Sequence, residues 1–209
     1  MAALITLANL PDGMVHALEA AYGRPPRAYH NFDHVAEVLR HYQAVADGPG
    51  WMQPVEVRLA VLYHDAIYEP GRTDNEARSA AFAREEIARW LPGAGVDAER
   101  VAALIGLTAR HGQHLPGDFD RSPWAADTRH FLDCDMAILG AEPEAFDAYD
   151  RAIAAEYRGH VPGWLYRINR RRFLKALLAR PRIYLSEFFH DRFDAQARAN
   201  LRRHVTGKR

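Results

Sequence analysis

The sequence predicts an all-α fold. Apolar residues recur at spacings of three and four along most of the chain, as on the buried face of an amphipathic helix. No segment shows the alternation of apolar and polar residues that is typical of a half-buried strand. Gly and Pro clusters interrupt the helical pattern at intervals and separate one helix from the next. We therefore expect a bundle of about ten helices, counting short ones.

The central element is the apolar run Leu59–Tyr63, which ends in the adjacent pair His64 and Asp65. A run with no polar side predicts a buried helix, and Pro54 suits its first turn. Two polar groups at the end of a buried helix need partners, because burying them unpaired is costly. A divalent cation can partner imidazole and carboxylate together, and a hydrogen-bonded His–Asp pair is the alternative.

The other elements follow from periodicity and from start and stop signals. Asn31 is a predicted N-cap, and Thr73 followed by Glu76 resembles a capping box. Residues 117–127 are rich in turn formers, and the apolar segment 131–139 contains two carboxylates. The further predicted helices span about 12–22, 31–45, 73–91, 97–110, 142–157, 161–179 and 194–204.

Length and composition indicate one globular domain. The 209 residues can bury a substantial core, and we expect a single domain over 1–209, with a core at about 24–180 and a C-terminal helical extension at about 181–209. The 27 basic residues equal the 27 acidic residues in number, so no global field attracts nucleic acid or an anionic membrane, and neither is an expected partner. Assembly into a homo-oligomer is an open alternative at this point.

The single Cys134 excludes an internal disulfide and suits a reducing cytoplasm. The N-terminus lacks a basic region followed by a long apolar one, and no apolar run approaches ~18 residues. We therefore predict a cytoplasmic protein without a signal peptide or membrane span.

Four residues form a candidate metal set: His34, His64, Asp65 and Asp135. Two neutral imidazoles and two carboxylates suit a hard-to-borderline divalent cation, which leaves Mn²⁺, Fe²⁺, Co²⁺, Ni²⁺, Zn²⁺ and Mg²⁺ open. Each residue lies at a helix end or inside an apolar run, where an unpaired polar group is hard to explain. Their long separations in sequence do not force them to converge.

The order His, His-Asp, Asp resembles the HD superfamily of metal-dependent phosphohydrolases. The similarity spans about residues 24 to 201, and it is closer to a small bacterial subfamily of predicted HD phosphohydrolases. The segments that carry it are Tyr29–His34, His64–Tyr68, Asp74–Glu76 with Ser79-Ala80, Phe131–Gly140, Glu156-Tyr157 and Ala197–Leu201. The resemblance implies an HD-domain-like helical bundle with the four residues above as ligands, and hydrolysis of a small phosphoester such as a nucleotide.

The resemblance also implies candidate roles for nearby carboxylates. Asp135 is preferred to Asp133 as the last ligand, because an Asp followed by Met-Ala-Ile-Leu is more similar to the family's final helix. For Asp133 we expect a cap or a hydrogen bond to a ligand histidine. Some HD nucleotidases have a water-activating Glu where this chain has Tyr68. The predicted catalytic carboxylates are therefore Asp65, Glu69 and Glu76.

His111 and His114 are candidates for a second metal or for substrate contact, because several HD enzymes add histidines before the last Asp. A two-iron site would also admit an HD-type oxygenase. A metal-stabilised nucleotide-binding domain without turnover is the non-enzymatic alternative, which the missing Glu at position 68 keeps open. His30 is expected to support the ligands from beside the motif.

Arginine suits phosphate binding because its planar guanidinium can donate two hydrogen bonds at once. Arg27, next to the motif, is the first candidate, followed by Arg72 and Arg110. A basic cluster also lies on the predicted helix 161–179, and zero net charge favours a solvated face over a phosphate or nucleic-acid patch. The cluster comprises Arg167, Arg170, Arg171, Arg172 and Lys175.

Overall fold

The computed structural model describes residues 10–25 and 27–207, and this part of the chain is all α-helical, which confirms the predicted fold class. It contains nine α-helices, two short 3₁₀ helices at Pro116–Asp118 and Ala137–Gly140, and no strand. The α-helices are α1 (Asp12–Tyr22), α2 (Phe32–Ala46), α3 (Pro54–Tyr63), α4 (Asn75–Trp90), α5 (Ala98–Thr108), α6 (Pro123–Met136), α7 (Pro143–Glu156), α8 (Gly163–Leu178) and α9 (Glu187–Thr206). Residues 1–9, 26 and 208–209 of the predicted domain lie outside the described residues.

Helix α3 is the central element, as its apolar run predicts. Its residues Leu59–Tyr63 are fully buried, and α2, α4, α5 and α6 all pack around it. Because neighbouring helices cover this run on every side, it needs no polar face. The Tyr22 hydroxyl donates a hydrogen bond of 3.0 Å to the carbonyl of Leu62, which ties α1 to α3.

Two helix starts confirm or correct the predicted caps. The Asn31 side chain accepts hydrogen bonds from the backbone amides of Asp33 and His34, so the predicted N-cap of α2 is confirmed. The predicted capping box at Thr73 is wrong: α4 begins one residue later, with Asp74 at its N-cap and no side-chain cap bond.

Two other helices begin earlier than predicted. Helix α6 starts at Pro123, inside the stretch rich in turn formers, where the Ser122 side chain caps it through the amide of Ala125. Helix α9 starts at Glu187, seven positions before the predicted start at 194, because the Ser186 side chain accepts a hydrogen bond from the amide of Phe189. Serine caps are easily overlooked in a sequence without a strong apolar periodicity after them.

The first and last helices contribute to the same hydrophobic cluster as the central ones. Met14 and Leu18 of α1 and Ala197 and Leu201 of α9 are fully buried within it. Helix α9 packs against α6, α8 and the 3₁₀ helix Ala137–Gly140. Among the described residues, no helix is both long enough and apolar enough to cross a membrane.

Candidate metal centre

The four predicted ligands come together from three helix ends. His34 lies in the first turn of α2, His64 caps the C-terminus of α3 with Asp65 directly after it, and Asp135 lies in the last turn of α6. Both histidine side chains are at most 2% exposed, whereas Asp65 is 17% and Asp135 is 10% exposed. The imidazoles therefore form the buried side of the site, and the carboxylates border its opening.

The separations between the donor atoms suit a single cation. The two Nε2 atoms of His34 and His64 are 3.1 Å apart. Asp135 Oδ1 lies 3.0 and 3.5 Å from them, and Asp65 Oδ2 lies 3.5 and 3.1 Å from them, respectively. Ligand atoms about 2.1 Å from one cation are separated by roughly 3.0 Å at right angles and roughly 3.4 Å in a tetrahedron. His34, His64 and Asp135 form a group whose ligand atoms all lie within 4.8 Å of one another, and Asp65 is not part of this group.

A backbone contact sets the tautomer of His64. Its Nδ1 lies 2.8 Å from the carbonyl oxygen of Val61, so this nitrogen carries the proton and donates it. The other nitrogen, Nε2, then presents its lone pair to the centre. A metal-binding histidine needs this arrangement, because the hydrogen bond of one ring nitrogen fixes the ligating role of the other.

The electrostatics of the site favour positive charge between the carboxylates. Burial opposes protonation of both ligand histidines, but Asp135 and Asp65 outweigh it and raise the pKa of His34 and, more strongly, of His64. Burial also opposes ionisation of the carboxylates, but His64 holds the pKa of Asp65 well below its usual range, and His111 with His64 does the same for Asp135. Protons on the imidazoles or a cation can supply this charge, so metal binding would release protons.

The two further histidine candidates have different surroundings. His111 Nδ1 lies 3.0 Å from Asp135 Oδ2, the oxygen on the other side of the carboxylate from the ligand histidines. The Nε2 atom of His111 is buried without a hydrogen-bond partner among the described residues. His114 instead contacts the carbonyl of Leu107 through Nε2 at 3.1 Å and packs against the ring of Phe119. The structure therefore brings only the first of the pair to the centre.

A pair formed by the partly buried His30 and the buried Glu156 borders the centre, and the sequence did not predict a role for Glu156. One carboxylate oxygen of Glu156 accepts hydrogen bonds from the amides of Tyr29 and His30, and the other lies 2.7 Å from His30 Nδ1. The Nε2 atom of His30 lies 4.0 Å from Asp65 Oδ2. Glu156 is fully buried and held by these three contacts, so it fixes the orientation of the His30 ring.

The other two predicted catalytic carboxylates, Glu69 and Glu76, lie in different places. Glu69 is 53% exposed and forms an ion pair with Arg78 on the surface, away from the centre. Glu76 lines the cavity beside the metal centre. Of these two predicted glutamates, Glu76 borders the cavity and Glu69 does not.

Asp133 is committed to the backbone before α9. Its two oxygens accept hydrogen bonds of 2.7 Å from the amides of Leu185 and Ser186, and the Ser186 hydroxyl donates a third. Burial raises its pKa to about 7. Asp133 thus anchors the segment that leads into α9, which agrees with the preference for Asp135 as the ligand.

A cavity of about 290 Å³ lies beside the centre, and Asp65 and Asp135 form part of its wall. Four tyrosines line it, together with His30, Glu76 and His111. Its apolar wall is formed by five residues: Met136, Ile138, Leu139, Ile153 and Phe173. The size is at the lower end of the range of about 300–1,000 Å³ that is typical of small-molecule sites.

The three predicted phosphate-binding arginines do not line this cavity. Arg27 donates to three backbone carbonyls, two of which directly follow α3, so it holds the two histidine-bearing segments together. Arg72 pairs with Asp74 on the surface, and Arg110 is exposed. The arginine that does line the cavity is Arg170, from the basic cluster that was predicted to be a solvated face. The other four basic residues of that cluster are exposed.

No model of a protein family, no curated protein and no solved structure matches this chain. Membership of the HD superfamily therefore stays a prediction from the motifs.

Proposed function

We propose that this protein is a metal-dependent phosphohydrolase of the HD type that acts on a small phosphoester such as a nucleotide. The observation that carries the proposal is the convergence of His34, His64, Asp65 and Asp135, with donor atoms 3.0–3.5 Å apart in the contacts between histidine and carboxylate. The adjoining cavity of about 290 Å³ has room for a small substrate. A cytoplasmic location belongs to the proposal and is supported by the free, buried Cys134.

In this proposal each residue has a distinct task. His34, His64, Asp65 and Asp135 hold a divalent cation, which would polarise the phosphoryl oxygens and lower the pKa of a water molecule. Glu76 borders the same cavity and is the carboxylate other than the ligands that can accept a proton there.

His30 has a separate task in the proposed reaction. Because its Nδ1 is committed to Glu156, its Nε2 is the atom that can accept or donate a hydrogen bond in the cavity.

The proposal is tested by reconstitution. Protein stripped with a chelator and reloaded separately with Mn²⁺, Fe²⁺, Co²⁺, Ni²⁺, Zn²⁺ or Mg²⁺ is assayed against phosphomonoesters and phosphodiesters, with His64→Ala as the variant that should lose metal and turnover. Glu69→Gln is the matched control, because this glutamate lies on the surface away from the centre. Full metal occupancy without turnover of any ester would contradict hydrolysis. Tight nucleotide binding without product under the same conditions would favour the non-catalytic alternative.

One observation favours a second candidate, the two-iron oxygenase. Asp135 presents Oδ1 to the ligand histidines and Oδ2 to His111, so its carboxylate has imidazoles on both sides. A carboxylate placed in this way can bridge two metals. Against it, His114 does not reach the centre, so among the predicted additional histidines only one ligand is available.

A further inference from the structure

The cavity beside the metal centre has an unbalanced charge. Three carboxylates line it, from Asp65, Glu76 and Asp135. A divalent cation would neutralise Asp65 and Asp135, which are the two proposed ligands among them. Among the described residues that form its wall, Arg170 supplies the one guanidinium or ammonium group. Besides a bound metal, Arg170 is therefore the group in this wall that carries a positive charge at any ordinary pH, whereas His30 and His111 are charged only when protonated.

Arg170 is held rigidly from α8. Its Nε donates a hydrogen bond of 3.0 Å to Asp150 Oδ1, and the two side chains are 13% and 3% exposed. The guanidinium carbon lies 4.9 Å from the ring centroid of Tyr149 and 5.6 Å from that of Phe173. Burial lowers the pKa of Arg170, but Tyr149 and Asp150 more than offset it and raise the pKa, so the group stays a cation. A guanidinium fixed in this way loses little side-chain entropy when it binds an anion.

The held guanidinium has a donor left over. The Nη2 atom of Arg170 is buried and makes no hydrogen bond with the described residues. A buried N–H group without a partner is costly, and native structures rarely keep one without a reason. In Arg27 both Nη atoms donate to backbone carbonyls of the chain itself, and the buried nitrogen without a partner is Nε.

We infer that Arg170 binds the anionic oxygens of the substrate's phosphoryl group. It takes the phosphate-binding role that was predicted for Arg27, Arg72 and Arg110, none of which lines the cavity. The inference rests on the proposed phosphohydrolase function for the identity of the anion. The substrate class that fits is a compact phosphoester, because Asp65, Asp135 and Arg170 border one cavity of about 290 Å³ whose wall also includes four tyrosines and five apolar side chains. Planar guanidinium groups recognise phosphate through paired, charge-assisted hydrogen bonds.

The experiment measures binding of inorganic phosphate to the metal-loaded protein by calorimetry, alongside KM and kcat for the best ester of the panel. We expect Arg170→Gln to weaken phosphate binding and raise KM by about 10- to 100-fold, with the metal content unchanged. Arg170→Lys should recover only part of the loss. An ammonium lacks the planar set of donors with which a guanidinium can bind Asp150 and a phosphate at the same time. Arg172→Gln is the control from the same helix, since this arginine is exposed and does not line the cavity beside the metal centre.

Folding of the variants is controlled separately. Arg170→Gln removes a hydrogen bond from the buried Asp150, so the double variant Arg170→Gln with Asp150→Asn removes both charges together. Circular dichroism and thermal melts should show a folded protein, with the phosphate-binding defect retained.

The outcomes distinguish this inference from the proposed function. Turnover with unchanged phosphate affinity and KM in folded Arg170→Gln would overturn the role of Arg170 and leave hydrolysis standing. No turnover by any metal form, together with phosphate binding that depends on Arg170, would overturn hydrolysis and leave the anion site standing. A wild-type protein that binds no phosphate when loaded with metal would refute the inference outright.

Discussion

Replacement of Asp65 by alanine separates a metal ligand from a structural hydrogen-bond partner. Asp65 Oδ2 lies 3.1 Å from His64 Nε2 and 3.5 Å from His34 Nε2, so it contributes one of two carboxylates to the centre. Its backbone carbonyl is held by Arg27, and this contact survives the substitution.

The expected magnitude follows from mass action. A cation present at a hundred times its dissociation constant stabilises the folded state by about 2.7 kcal/mol. For a chain of this size, each kcal/mol shifts Tm by about 2–4 °C, so metal should raise the wild-type Tm by roughly 5–11 °C. Loss of a direct ligand should weaken binding by at least ~100-fold, since changes behind the ligands already cost ~10–100-fold. At the same free metal, Asp65→Ala would then keep only about 0.4 kcal/mol, or roughly 1–2 °C.

The assay is a set of thermal melts with and without chelator, run on wild type, Asp65→Ala and Glu69→Ala. Glu69 is the matched carboxylate, because it lies four positions along the chain and pairs with Arg78 at the surface. Its variant should respond to chelator as wild type does. If Asp65 served only as a hydrogen-bond partner of His64, its variant would be destabilised equally with and without metal. Equal chelator responses in wild type and Asp65→Ala would refute the ligand assignment.

Three other predictions follow from the same geometry. His111→Ala should lower the metal content from two equivalents per chain to one if Asp135 bridges two metals, whereas a constant single equivalent by elemental analysis would remove the oxygenase candidate. Glu156→Gln should keep metal but lower turnover by about 10- to 100-fold, because the carboxylate that orients His30 loses its charge; unchanged kcat would contradict this role. Burial lowers the pKa of His130 to about 4. Between pH 6.5 and 4 the unfolded state therefore binds more protons than the folded state. The free energy of unfolding falls as the pH drops through this range, by at most about 3 kcal/mol. Denaturant melts at pH 7 and 5 should therefore show a smaller acid loss in His130→Gln than in wild type, and an equal loss would argue against a buried neutral imidazole.

The sequence alone determined the helical class, and it supplied the four candidate ligands that the structure brings close together. The apolar run Leu59–Tyr63 has no polar side and therefore predicts a buried helix, and these five residues of α3 are indeed fully buried. The N-cap at Asn31 is a local interaction between a side chain and two amides nearby, and such interactions can be read from a short segment. The His-Asp pair at a buried helix end pointed to a compensating partner for the same local reason.

Only the tertiary structure decided which side chains face the centre. His111 and His114 are three positions apart on one loop, yet only the first contacts Asp135, because the loop turns the other towards the carbonyl of Leu107. Arg170 lies in a run of exposed basic residues that looks uniform in sequence, and the packing of α8 beside Asp150 turns this one inward.

Glu156 is 126 positions from its partner His30, so no local pattern could join them. Contacts of this range depend on how helices pack, and the periodicity that places a residue on a helix does not specify which distant residue it will meet.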